Sequence, residues 1–243
     1  MLRFLVRLFA CLALITTSAL HAQGFPNKPI RLICPFPPGG AVDIASRAIA
    51  IELAKSMGQP IAVDNKPGAG GNIGGAEAAR TAPDGYTLFM TTSAINGINP
   101  ALYDKMPFDP NQDLVAVSAL VSLNNVPSSI PHIKAGKLKA LVTTGAKRDP
   151  ALPDLPTITE AGVPGDESGV WFGLMVPAGT PKAIIAKLNA ETVKATQSPE
   201  FIKRMSNLGY IVIGSSSDEM TAMLKTEVSR WGPIVKASGA KAD

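Results

Sequence analysis

The residues best placed to do chemistry in this chain offer main-chain groups rather than reactive side chains. Pro35, Phe36, Pro37, Pro38, Gly39, Gly40, Ala41, Val42 and Asp43 follow an apolar run that ends at Cys34. That order describes a strand, a Pro-Pro-Gly-Gly turn and the start of a helix. The first N–H groups of a helix have no intrahelical partner, so the turn aims several of them at one point and suits an anion. Glycine there permits positive φ and close approach of a ligand to the main chain. Asp43 falls in the first helical turn, where its charge meets the positive end of the helix dipole. The same residues also describe an ordinary strand–helix turn with a stabilising Asp, and the pattern alone leaves both readings open.

Two further loops have related chemistry. Asn65-Lys66-Pro67-Gly68-Ala69-Gly70-Gly71-Asn72-Ile73-Gly74 approaches a dinucleotide fingerprint, but Ile73 stands where the third glycine belongs. It reads as a second helix start facing the same cleft, or as a plain tight turn. Thr91, Thr92, Ser93, Ala94, Ile95 and Asn96 follow a third apolar run. Their hydroxyls and amide suit a polar ligand, and they equally suit helix capping. The candidate ligand-binding residues are therefore Phe36, Pro37, Pro38, Gly39, Gly40, Ala41, Asp43, Gly70, Gly71, Thr92 and Ser93. Gly136-Lys137 lacks the upstream glycine and the following Ser or Thr of a phosphate loop.

Composition removes most other chemistries. Residues 1–22 begin with Arg3 and Arg7, continue through an apolar run at 8–14 and end at Ala22, the pattern of a secretory signal peptide. The apolar run is short for a bilayer span. Arg3 and Arg7 account for half of the formal net charge of +4, so the chain beyond residue 22 is nearly neutral. Scattered Lys and few aromatics argue against a nucleic-acid partner. Cys11 and His21 lie in the leader, which leaves Cys34 and His132 as the one cysteine and the one histidine beyond it. That excludes an internal disulfide, a zinc–thiolate cluster and most hydrolase or metal constellations. A hydrolase built from Ser93 or Ser128 with His132 has no evident acid to complete it. No cofactor or metal is expected. Trp171-Phe172 could stack on a ligand but reads better as core, Trp231 as packing, and Cys34 as a small buried hydrophobe.

The elements that position these loops alternate. Strands are predicted at 30–34, 61–63, 86–91, 114–123, 139–144, 170–176 and 210–213. Helices are predicted at 42–57, 75–81, 128–135, 157–162, 181–197, 199–208 and 218–236, with Gly58 closing the first, Thr180 capping the fifth and Ser217 the last. Strands spaced by helices indicate a parallel α/β sheet, whose loops after the first three strands open on one crevice. One place resists: only Asn124 to Pro127 separate the run ending at Leu123 from the segment at 128, whereas a parallel crossover needs about a dozen residues.

Ordered along nearly the whole chain beyond the leader, several stretches resemble one family. They are Phe-Pro-Asn-Lys-Pro-Ile-Arg at 25–31, the block at 35–43, Asp-Asn-Lys-Pro-Gly-Ala-Gly-Gly-Asn-Ile-Gly at 64–74 and Ala-Pro-Asp-Gly-Tyr-Thr-Leu at 82–88. Ile-Pro-His-Ile-Lys-Ala-Gly-Lys-Leu at 130–138, Leu-Pro-Asp-Leu-Pro-Thr at 152–157 and Glu-Ala-Gly-Val-Pro-Gly at 160–165 continue the series. It ends with Trp-Phe-Gly-Leu at 171–174 and Pro-Ala-Gly-Thr-Pro at 177–181. The chain resembles the solute-binding proteins of tripartite tricarboxylate transporters, the Bug receptors. The resemblance implies a type II periplasmic-binding-protein-like α/β fold, two lobes closing on a small carboxylate, delivery to membrane permease subunits, and no catalysis. It places the carboxylate clamp on the loop from Phe36 to Asp43. It also implies a departure. A block of the second lobe, with its own clamping loop, is missing at Asn124–Asn125. The expected organisation is one near-complete lobe, residues 23–122 and 169–243, with a truncated second lobe at 123–168. A remnant of that size is at the edge of holding a core alone. The alternative is a vestigial or partner-docking protein without ligand capture.

Overall fold

The computed structural model describes residues 24–123, 126–144, 147–149, 152–163 and 169–242. The leader and the Asn124–Asn125 junction lie outside the described residues. Strand β1 (Ile30–Cys34) feeds helix α1 (Ala41–Met57), which Gly58 ends in the left-handed conformation. Strand β2 (Ile61–Asn65) leads through a 3-10 turn into α2 (Asn72–Ala79). Strand β3 (Thr87–Thr92) is followed by two short helices, α3 (Ser93–Gly97) and α4 (Asn99–Leu102). Strand β4 (Leu114–Leu123) and helix α5 (Val126–Lys134) follow. Then come β5 (Trp171–Pro177), α6 (Lys182–Thr196), α7 (Pro199–Asn207), β6 (Tyr210–Val212) and α8 (Ser217–Ser238).

Among the described residues the strands form one sheet in the order β2-β1-β3-β5-β4-β6. The expected parallel arrangement holds for β2, β1 and β3. Strand β5 is antiparallel to both β3 and β4, and β6 is antiparallel to β4, so the sheet is mixed. The short connection after β4 thus needs no parallel crossover. The Leu123 N–H donates to the Val170 carbonyl at 2.7 Å, and Ser122 pairs with Trp171. The chain leaves and re-enters the sheet at neighbouring positions, with the excursion 124–170 between them.

Helices cover both faces, which is why the strands read as near-continuous apolar runs rather than alternating ones. Leu32, Leu88, Met90, Leu174 and Val176 pack with Ile49 and Leu53 of α1 and Leu188 of α6. On the other face Ile33, Phe89 and Met175 pack with Ala76 of α2, Ile95 of α3 and Met220 of α8. No helix among the described residues is long and apolar enough to cross a membrane.

Several local expectations change. The strand at 139–144 reduces to a single bridge, Thr143 to Thr157. The helix at 157–162 is a run of turns. Both segments have strand or helix composition, but among the described residues they pair only with each other at Thr143–Thr157, and neither contributes a buried apolar side chain. Thr180 does not cap α6. Its hydroxyl donates to the Pro177 carbonyl at 2.7 Å, and Pro181 occupies the cap position. The cap of α8 is Ser216 rather than Ser217, in a capping box with Glu219. The Ser217 hydroxyl instead donates to Val117 of β4. The short helices α3 and α4 were not predicted.

Candidate functional site

Cys34 and Asn65 are register partners at the ends of β1 and β2, and β3 ends beside them at Thr92. The three loops that follow therefore open at one edge of the sheet. Contacts between them are close. A Cβ on Gly71 would meet Ile95 Cδ1 at 2.6 Å and Pro35 Cβ at 3.3 Å, so only glycine, with φ 97° there, lets the second loop press against the other two.

The first loop is braced from within. The Asp43 carboxylate is 2% exposed and accepts from the Gly39 N–H, Arg47 Nε and Asn65 Nδ2, each at 2.9 Å. Asn65 Nδ2 also donates to the Phe36 carbonyl at 2.9 Å, and Arg47 donates to Asn65 Oδ1 at 3.0 Å. Burial by itself would push the Asp43 carboxyl up. The bonds from Arg47, Gly39 and Asn65 together outweigh it and hold the group below the usual carboxylate range. Asp43 and the Gly39 N–H are thus spent on each other. The Gly40 N–H donates to the Pro37 carbonyl at 3.3 Å. What remains without a partner among the described residues is the set of N–H groups on Ala41, Val42 and Asp43, the first three of α1. Pro37, Pro38, Gly39, Gly40 and Ala41 are exposed, and Phe36 is half-buried against the core. From the far edge of the sheet the buried Tyr210 donates its hydroxyl to the Ala41 carbonyl at 3.0 Å, with its ring tilted against Phe172.

In the second loop Gly70 is exposed, and its carbonyl accepts from Asn99 Nδ2 at 3.1 Å. Gly71 is buried, with its N–H donated to the Gly68 carbonyl at 2.9 Å. In the third loop Thr92 acts as a cap, its Oγ1 accepting from the Ile95 N–H at 3.3 Å. Ser93 is buried beside it. Asn96 Nδ2 donates to Thr91 Oγ1 at 2.6 Å, while its buried Oδ1 has no partner. The structure therefore gathers the candidate residues at one edge but gives them unequal parts. The exposed turn and the head of α1 can meet a ligand, whereas Asp43, Gly71 and Thr92 hold the loops in shape.

Sequence reasoning missed Arg47, Asn65, Asn99 and Tyr210. Arg47 was within reach, because it stands four residues after Asp43 on one helix face. Tyr210 left no local trace. The expected core residues behave as such. Trp171 and Phe172 are buried, and Trp171 Nε1 donates to Glu227 Oε1 at 3.2 Å. Cys34 is fully buried, and burial pushes its thiol up. His132 is exposed. Two cavities with walls made of described residues lie elsewhere. One of 620 Å³ lies beside Leu138 and Leu155, and one of 450 Å³ lies between Trp171 and α8.

The family model described as "Tripartite tricarboxylate transporter family receptor" matches residues 45–127 and 121–240, two matches that meet at 121–127. Protein BugT of Bordetella pertussis is 26% identical over 322 aligned residues, covering 98% of this chain and 99% of the relative. That alignment is far longer than the 243 residues of this chain, so several dozen positions of BugT face no residue here. MatC of Rhodopseudomonas palustris, solved with bound malate, is 28% identical with a TM-score of 0.72, over 87% of this chain and 100% of that one. Rpa4515 of R. palustris, solved with adipate, is 26% identical with a TM-score of 0.74, over 90% and 100%. Matched by the family model along most of its length, and like these proteins in fold, the chain belongs to the tripartite tricarboxylate transporter receptor family.

Proposed function

We propose that this protein is an exported, periplasmic receptor, not an enzyme, that captures a small carboxylate for the permease subunits of a tripartite transporter. Its affinity is reduced because one side of the clamp is missing. The observation that carries the reading is the set of three unpartnered N–H groups at the head of α1, fixed in place by Asp43. A carboxylate accepts from such groups and interacts favourably with the helix dipole. The malate and adipate bound to the two relatives are ligands of that chemistry. The Arg3–Arg7 leader supports export.

Residues 23–122 and 169–243 are read as the first lobe and 123–168 as the remnant of the second. The two family matches meeting at 121–127 support a block missing there. Thr157 is the only buried residue among those described between 129 and 163, so no apolar core backs a facing wall. Two or three charge-assisted bonds contribute about 1.5–3 kcal/mol each. Against the cost of lost ligand freedom, at least about 4 kcal/mol, they leave at most about 5 kcal/mol, so the dissociation constant is roughly tenths of a millimolar at its tightest.

Calorimetry and amide-shift titration with malate and adipate test this. Weak, saturable shifts confined to 36–43 are expected. Micromolar affinity would refute the impairment. Unmoved amides at tens of millimolar ligand would refute capture. The unbacked excursion favours a second reading, a vestigial or partner-docking protein without ligand, and pull-down with the permease subunits with and without acids separates the two.

A further inference from the structure

Tyr210 is 5% exposed and lies in the same apolar cluster as Ile49 and Leu53 of α1, with its ring 6.0 Å from that of Phe172 and tilted by 59°. Its backbone is the register partner of Leu123 in β4. Packing alone would be met by phenylalanine, but a buried phenol also needs a partner for its hydroxyl. That partner is the Ala41 carbonyl, 3.0 Å away. Ala41 is the first residue of α1, so its carbonyl already accepts from the N–H four residues on. The bond from Tyr210 is therefore a second one, on an oxygen that was not short of a donor. Burial pushes the phenol up from its ordinary value, which keeps the proton on the hydroxyl and the hydroxyl donating.

The carbonyl of Ala41 and the N–H of Val42 belong to one planar peptide group and point in opposite directions. The Val42 N–H is one of the three without a partner at the head of α1. A hydrogen bond to an amide oxygen draws charge through the partial double bond and makes the N–H at the other end a better donor, and chains of such bonds strengthen one another. We infer that Tyr210 is a positioning residue for anion capture: from behind the Ala41–Val42 peptide it holds that plane and strengthens the Val42 N–H toward a carboxylate. The inference rests on the carboxylate reading of the turn and adds to it a residue from outside the three loops. Two braces then have different tasks. Asp43 ties down the turn through the Gly39 N–H and Asn65, whereas Tyr210 acts on a peptide that would meet the ligand. Strengthening on the order of 10–30% of one charge-assisted bond amounts to a factor of up to about four in binding.

Tyr210→Phe keeps the ring and removes the hydroxyl. In amide-shift titrations with malate and with adipate it should raise the dissociation constant about two- to fourfold for both acids. In the ligand-free variant the Ala41 carbonyl carbon and the Val42 amide should shift upfield, while Gly39 keeps its shift and its exchange protection. Tyr86→Phe is the control, because the Tyr86 hydroxyl bonds Asn27 at the opposite end of β3 from the crevice, and it should leave affinity and the Val42 amide as they are. Wild-type binding that Tyr210→Phe matches overturns the inference and leaves carboxylate capture standing. So does a Val42 amide that does not move in the ligand-free variant. Weaker binding together with lost protection at Gly39 would assign the effect to a loosened turn and equally refute it. Wild-type amides at 36–43 that respond to neither acid would refute capture itself, and this inference with it.

Discussion

Leu32 and Leu141 are the same side chain in stretches of similar strand-like composition, yet one is fully buried and the other 69% exposed. Leu32 sits in β1 with paired strands on both sides and α1 over its face. Leu141 has a single bridge nearby and, among the described residues of its own region, no buried apolar neighbour. The lesson is that strand composition is a demand for neighbours. The sheet region meets it through β5 and β6, which return from far along the chain, and the excursion does not.

The contrast is breakable by mutation. Phe89→Ala, at a fully buried centre of the sheet, should cost about 3–5 kcal/mol in urea unfolding followed by Trp171 fluorescence. A loss under about 1 kcal/mol there would erase the contrast. Asp43→Ala removes the shared acceptor of the Gly39 N–H, Arg47 and Asn65 and should cost about 1–3 kcal/mol, with exchange-protection loss centred on 36–43. Gly71→Ala forces a side chain into positive φ and onto Ile95, and should cost about 1–3 kcal/mol, read from the same unfolding curves.

Acid sharpens the picture of the brace. The Asp43 carboxyl lies below its usual range in the folded chain, so the unfolded chain binds the proton more readily. Its contribution is present above the unfolded value and is lost as pH falls through the lower folded one. The stability gap between wild type and Asp43→Asn should therefore be constant near neutrality and close below about pH 4. A gap that widens in acid would contradict the brace. The smallest effect belongs to the excursion. Leu141→Ser should change global stability by no more than about 0.5 kcal/mol, and amides at 139–144 should exchange by local opening well before those of β1 and β3.

The sheet region was largely legible because each β–α unit carries its own signals. Gly58 ends α1, apolar runs mark β1 and β4, and the Pro-Pro-Gly-Gly turn marks the head of the helix. The reversal of β5 and β6 was not legible, since pairing between segments far apart in the chain leaves no local pattern. The excursion misled for the opposite reason. Its composition at 139–144 and 157–162 asks for regular elements, while among the described residues a single bridge joins them. At the site, the turn could be found from its glycines and prolines. The division between residues that face outward and those that brace could not, because it depends on Asn65 and Tyr210 arriving from other strands.

The bond from Tyr210 to Ala41 joins residues 169 positions apart. A chain synthesised amino end first completes β1, the turn and α1 by residue 57, but the clasp on that helix's first carbonyl is supplied only by β6. Completion of this corner is thus deferred until nearly the whole polypeptide exists. Nascent or prematurely terminated fragments carry the Asp43 brace without this clasp.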